Sequence, residues 1–409
     1  MSHTTPSNRP PQFRQTSDRS GQFRRQPTGY WAFVPAQLLP YPELTWDDEL
    51  HALLSKADRA VARLDGASSI LPNADLFVSM YAMKEAVLSS QIEGTQATVS
   101  DVVAYKAEET LRPADKHIVE VLNYGEAMRL GLEGLAQRPI STELLRQMHK
   151  PLLEGGRGQE QRPGEIRQKQ NWIDVDPNLK DLNRAKFVPP PPHEMNQALY
   201  DLQNFINDPA PLPILVRCAL AHAQFETIHP FGDGNGRIGR MLITLMLCDK
   251  TVLDRPLLYL SYYFKQNKEV YYDALQRVRI HGDWEGWIKF FLKGVDEVGR
   301  EATETARKII ELRERDRARL INAQGRGAAT ALAVLESLYR RPAVTVKQAA
   351  EIGQVEISTA NRLINNLVEM NLLDEMTGRG RGRIFAYREY LSLFQWGTEL
   401  SQPSETGTS

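Results

Sequence analysis

Cysteine is nearly missing from the 409-residue chain: Cys218 and Cys248 are the two it has, and both fall in apolar stretches of helical spacing. That excludes a disulfide framework and fits a reducing compartment. Long hydrophobic runs are missing too, since no apolar segment reaches the roughly 18 residues of a membrane-spanning helix. The amino terminus has no apolar signal core. Net charge is close to nil, −1 at pH 7 with a pI near 6.7. Nucleic acid and membrane surfaces therefore exert no global pull, and any such binding must be local. Metal-ligand spacing is scarce. His222, Glu226 and His229 fall at i, i+4 and i+7, but a helix must stop before Pro230, and His229 has a better-specified use. A cytoplasmic, soluble protein with no membrane partner is expected, and 42% hydrophobic residues suffice for a large core. The length suggests two or three domains.

The chemistry is concentrated in twelve residues. His229 to Arg240 read His-Pro-Phe-Gly-Asp-Gly-Asn-Gly-Arg-Ile-Gly-Arg. The segment before them is apolar at helical spacing (Leu215, Cys218, Ala219, His222, Phe225), and Pro230 ends it because proline disfavours helical geometry in the preceding residue. Met241 to Cys248 reads as a second, buried helix. A glycine-rich loop opening a helix is a natural anion site, because free amides at the helix start carry partial positive charge and glycines admit close approach. Arg237 and Arg240 add bidentate donors for phosphate. His229 titrates near neutrality and can accept a hydroxyl proton. Asp233 is a hard oxygen ligand suited to Mg²⁺. Together these parts describe phosphoryl or nucleotidyl transfer.

The string resembles the signature of the Fic family, H-P-F-x-[D/E]-G-N-[G/K]-R-x-x-R, at every specified position. The resemblance implies transfer of AMP from ATP to Ser, Thr or Tyr hydroxyls of target proteins and of the chain itself. Backbone amides of Gly234, Asn235 and Gly236 would lie under the phosphates, Asp233 would hold Mg²⁺, and Arg237 and Arg240 would fix the triphosphate. Phe231 and Pro230 would set the loop, and His229 would be the base. Glycine at 236 favours AMP transfer over the inverted binding of phosphotransferase relatives.

Three further stretches carry the resemblance. Ser89-Ser-Gln-Ile-Glu93-Gly94 closes a helix, where Gly94 suits a left-handed cap and the charge of Glu93 opposes the helix dipole. It resembles the family's inhibitory motif, [S/T]-x-x-x-E-[G/N], which implies that Glu93 engages Arg240 and keeps ATP from productive binding. Residues 164–192 read as a hairpin of two β-prone pieces and resemble the family's flap, which pairs with an extended target segment. Asn171, Trp172 and Ile173 would then lie beside nucleotide and target. Tyr271 and Tyr272 point about 100° apart on a helix, so one can face a pocket while the other packs. The resemblance suggests an adenine or ribose contact by this pair, assigned to Tyr271, with Asn267 nearby.

The expected fold is all-α: a Fic-type helical core with a small β-hairpin flap, followed by a winged helix-turn-helix domain. The expected division is a disordered arm over 1–30, rich in Ser, Pro, Gln and Arg, and a helical region with the inhibitory helix over 31–135. The catalytic core follows over 136–300, a charged helical linker over 301–325, a winged helix over 326–398 and a disordered tail over 399–409. In the last module Ser358, Thr359, Asn361 and Arg362 front a helix, and Arg379, Arg381 and Arg383 sit at a hairpin tip. Expected partners are a protein substrate at the flap, DNA or protein at the winged helix, and a second copy as a homodimer. The competing functional readings are a nucleotide-sensing DNA-binding transcription regulator and a hydrolase that removes AMP.

Overall fold

The computed structural model describes residues 16–69, 74–108, 115–174, 181–209 and 211–400. In chain order the elements are β1 (Gly21–Arg25), β2 (Trp31–Pro35), α1 (Asp48–Ser69), α2 (Ala74–Ile92), α3 (Val99–Ala107), α4 (Lys116–Leu135), α5 (Thr142–Leu152), α6 (Pro192–Asn207), α7 (Ile214–Ile228) and α8 (Asn235–Asp249). Then come α9 (Ser261–Gln266), α10 (Lys268–His281), α11 (Trp284–Gln324), α12 (Ala328–Leu338), β3 (Ala343–Thr345), α13 (Val346–Gly353), α14 (Ile357–Glu369), β4 (Leu373–Glu375), β5 (Ile384–Tyr387) and α15 (Arg388–Gln395). Contacts divide them into two compact units, one of residues up to 62 with 126–299, the other of 63–125 with 300 onward.

The first unit is built around α7 and α8. Both are buried on nearly every side, α7 from Leu215 to Ile228 and α8 from Arg237 to Leu247, which is why neither run shows a one-sided pattern. Polar groups inside are matched in pairs, as burial demands. His222 donates from Nδ1 to the Gly239 carbonyl at 2.9 Å and accepts the Tyr271 hydroxyl at Nε2, also at 2.9 Å. Burial pushes its pKa from 6.5 down to about 3, so it is a neutral core histidine. Trp287 donates its indole N–H to the Ala219 carbonyl at 2.7 Å.

The arm expected to be disordered is ordered from residue 16. β1 and β2 form an antiparallel hairpin in register Gly21 to Pro35 and Arg25 to Trp31. Composition averages over the whole arm, whereas ordering depends on partners. Arg19 forks onto Glu285, with nitrogen–oxygen distances of 2.9 and 2.8 Å, and Phe23 packs edge-on against Phe33. Residues 1–15 and the tail from 401 lie outside the described residues.

β2 continues into the segment expected as a flap. The Phe33 amide donates to the Val188 carbonyl at 2.9 Å, and Tyr30 donates to Gln170 Oε1 at 3.0 Å. Within the described part of the flap the strand pairing reduces to one antiparallel bridge, Ile173 with Phe187. Residues 175–180, in the middle of that segment, lie outside the described residues.

In the second unit α11 corrects the expected boundary. The closing helix of the core and the charged linker are one helix of 41 residues, because Gly299, which could have ended it, stays within the helix and packs closely against Ala60. The carboxyl-terminal segment is also less independent than its composition suggests. Phe394 of α15 packs on Phe77 and Tyr81 of α2, Gln395 donates to Ser100 at 2.6 Å, and Gln91 donates to the Thr398 carbonyl at 2.7 Å. Tyr387 donates to Asp316, which is wholly buried, at 2.7 Å. The three-stranded sheet has the order β3, β5, β4, all antiparallel.

Candidate active site

The loop between α7 and α8 is held open by groups that touch its backbone. His229 caps α7 in the left-handed conformation, φ 51° and ψ 60°, with its amide bonded to the Phe225 carbonyl at 2.9 Å. A left-handed non-glycine residue costs of order 1–3 kcal/mol and persists where its surroundings over-determine it. Here two buried guanidiniums do so. Arg167 donates from Nε to the His229 carbonyl at 2.9 Å and from Nη2 to those of Pro190 and Ile228, while its amide donates to the Pro230 carbonyl at 3.0 Å. Arg279 donates to the Glu226 carbonyl at 3.1 Å and to Thr227 Oγ1 at 3.2 Å, its plane over the Phe187 ring. Both satisfy orphan carbonyls and offset the negative end of the α7 dipole. Burial lowers each pKa to about 10, so both stay charged at neutral pH.

Asparagines and a histidine shape the rest. Asn235 accepts the Phe231 amide at 2.8 Å and donates back to the Phe231 carbonyl at 2.9 Å, closing the loop on itself. Asn171 donates to the same carbonyl at 3.0 Å from the flap side. His149 lies flat against Phe231 and bonds through Nε2 to the Asp233 carbonyl at 2.9 Å. Its Nδ1 accepts the Gly164 amide at 2.9 Å. Accepting at Nδ1 puts the proton on Nε2, and burial lowers this histidine's pKa to about 4.

Gly234 caps α8 at φ 76° and no side chain closes the first turn. Its own amide donates to Asp233 Oδ1 at 2.6 Å, so of the expected cradle Asn235 and Gly236 remain in the helical first turn. Arg237 is fully buried and its guanidinium stands 3.8 Å from Asp233 Oδ1. Arg240 is also buried, one turn further along α8. A Cβ on Gly158 would stand 2.4 Å from Asp233 Oδ2, which shows how closely the 155–161 loop passes the carboxylate. Asp233 is the type of single oxygen donor Mg²⁺ uses when substrate phosphates supply the other ligands. Among the described residues no three His, Cys, Asp or Glu side chains gather as a metal site.

Other expected site residues are placed differently. Tyr271 is buried with its hydroxyl on His222 and its ring stacked on Phe264. Tyr272 is the exposed member at 42%. Asn267 starts α10 and donates to the Tyr263 carbonyl at 3.0 Å. Trp172 packs on the small cluster of Ala32, Ala185 and Val188, facing the amino-terminal hairpin; Ile173 forms the flap's bridge. In the other unit Ser89 is buried, Glu93 is partly buried just past the end of α2, and Gly94 turns the chain at φ 99°. Sequence reasoning missed Arg167, Arg279 and His149. His149 had a signal, since it sits on the apolar face of α5 with Leu145, Met148 and Leu152; the arginines had none, because isolated basic residues ordinarily read as solvated.

Comparison with known proteins defines the class. Residues 139–247 match the Fic/DOC family and residues 51–133 the Fic/DOC family N-terminal domain. The chain therefore carries both domains of the Fic/DOC family. A "Probable protein adenylyltransferase" of Aquifex aeolicus is 34% identical over 92 residues, 22% of this chain and 26% of that protein. The protein adenylyltransferase Fic of Nematostella vectensis is 27% identical over 221 residues, 51% of this chain and 47% of that protein. The chain thus spans less than half the length of either relative. A crystal structure of a Fic family protein from Desulfovibrio desulfuricans G20 superposes with a TM-score of 0.54 at 18% identity, covering 84% of this chain and 97% of that one. That likeness is one of fold. No described helix is long and apolar enough to cross a membrane.

Proposed function

We propose that the chain is a protein adenylyltransferase that moves AMP from ATP to a Ser, Thr or Tyr hydroxyl of a target protein or of itself. The observation that carries this reading is the braced loop: His229 sits at the end of α7, held through its carbonyl, beside the unclosed first turn of α8 with Arg237 and Arg240 on that helix. The phosphates of ATP lie over the amides of Asn235 and Gly236, and the two guanidiniums offset charge developing on pyrophosphate. His229 takes the proton of the incoming hydroxyl. Its oxygen then bonds the α-phosphorus as the bond to pyrophosphate breaks, and pyrophosphate leaves. Asp233 would hold Mg²⁺, which when bound neutralises phosphate charge. Most of the rate gain comes from positioning and charge stabilisation. The target binds as an extended segment along the flap, and Glu93 restrains transfer by competing for Arg240, a reading that rests on the Ser89–Gly94 motif.

Incubation with α-labelled ATP tests the assignment. Wild-type protein should incorporate label that His229→Ala loses while still binding ATP. Label incorporated by His229→Ala at the wild-type rate would remove the base from the reaction.

A further inference from the structure

A cleft of about 650 Å³ opens on the carboxyl-terminal segment. Its walls bring together Lys347 near the start of α13, Ile357 at the start of α14 and Arg379, Arg381 and Arg383 of the β4–β5 connection. Glu108, just past the end of α3, is the one acid among its lining residues, and it is ion-paired to Arg379. We propose that this face binds duplex nucleic acid through its phosphates, and that Glu108 stands in for one phosphate until the duplex displaces it.

The chain's charge of −1 gives no general affinity for a polyanion, so a concentration of cations here needs a local reason. The tip alternates arginine with glycine from Gly378 to Arg383, and a Cβ on Gly378, Gly380 or Gly382 would meet nothing within 4 Å. The three arginines are thus carried on a slender connection that can enter a groove. Its base is fixed, because Glu375 accepts the amides of Thr377 and Gly378 at 2.8 and 3.0 Å. The neighbouring α14 buries Ala360, Leu363, Ile364 and Leu367 and turns out Ser358, Arg362 and Asn365, side chains that hydrogen-bond base edges. Ile357 is 54% exposed in the cleft itself, so the start of that helix and the tip address one side. A duplex offers phosphate rows on both sides of a groove to such a paired surface, whereas a small anion would leave most of it unused.

Fluorescence polarisation of a labelled random-sequence DNA duplex with the full chain tests this. Four phosphate contacts, from Lys347 and the three arginines, give a log–log salt slope of about −3.6, or roughly a hundredfold loss between about 50 and 200 mM salt. Arg381→Ala with Arg383→Ala should reduce the slope by about 1.8, with an unchanged melting temperature showing that the variant folds. Glu108→Gln should bind more tightly than wild type at every salt concentration. Absence of binding by both wild type and Glu108→Gln would overturn the proposal. So would an undiminished slope in the double-arginine variant, weaker binding by Glu108→Gln, or equal affinity for a single strand.

Discussion

The imidazole of His149 lies on the ring of Phe231 with centroids 3.9 Å apart and planes 9° from parallel. This stack ties α5 to the loop between α7 and α8, and it requires an uncharged ring whose two nitrogens are already committed. Burial holds the folded pKa near 4 against an ordinary 6.5, so the unfolded chain takes up the proton first. Stability is therefore full above 6.5, falls as pH drops through that value, and levels off below about 4. His222 acts in the same direction. The melting temperature should fall across this window, and His149→Gln should flatten part of the fall. An identical pH slope in His149→Gln would remove that histidine from the linkage.

Arg167→Met keeps the aliphatic stem and removes the donors to Ile228, His229 and Pro190. Each buried carbonyl left without a donor costs about 1–3 kcal/mol, so the urea midpoint should drop clearly. Transfer should fall further than stability alone explains, by about a hundredfold, because a misplaced base loses its alignment. Arg167→Lys should rescue little, since one ammonium cannot reproduce the fork. Full activity in Arg167→Met would show that the loop holds itself.

Gly158→Ala drives a methyl group into Asp233 at a backbone φ of +83°. Gly29 is the matched control, with φ +94° and open space around it. Both substitutions should cost roughly 1 kcal/mol or more from the backbone, but only Gly158→Ala should raise the KM for ATP. Equal effects of the two on KM would mean that the carboxylate does not need its present position.

Glu93→Gly should raise auto-modification with labelled ATP several-fold. Arg240→Ala added to it should return incorporation to background, because the acid and the nucleotide are assigned the same guanidinium. Unchanged incorporation in Glu93→Gly leaves the motif without an inhibitory role.

The sequence displayed what local chemistry determines. His229 to Arg240 could be read as helix, loop and helix because Pro230 and the glycines punctuate the chain, and α5 announced its start through Ser141, whose hydroxyl accepts the Leu144 amide at 3.3 Å. It concealed what depends on distant partners. Arg167 reads as a polar loop residue until the end of α7 arrives beside it. Tyr271 and Tyr272 were interchangeable until the placement of His222 decided which one packs. The hairpin of β1 and β2 was hidden because its order comes from Glu285 and Val188, far along the chain.

That hairpin changes where the first unit can be said to begin. Cutting the protein at Trp31, the border its composition invites, would strip away the clasp of Arg19 on Glu285 and leave Phe33 without Phe23. The strand that bonds to Val188 of the flap segment would then be an unsupported edge. A shortened protein of that kind should misreport target preference if, as proposed, the target binds along the flap, because that surface would have lost its backing.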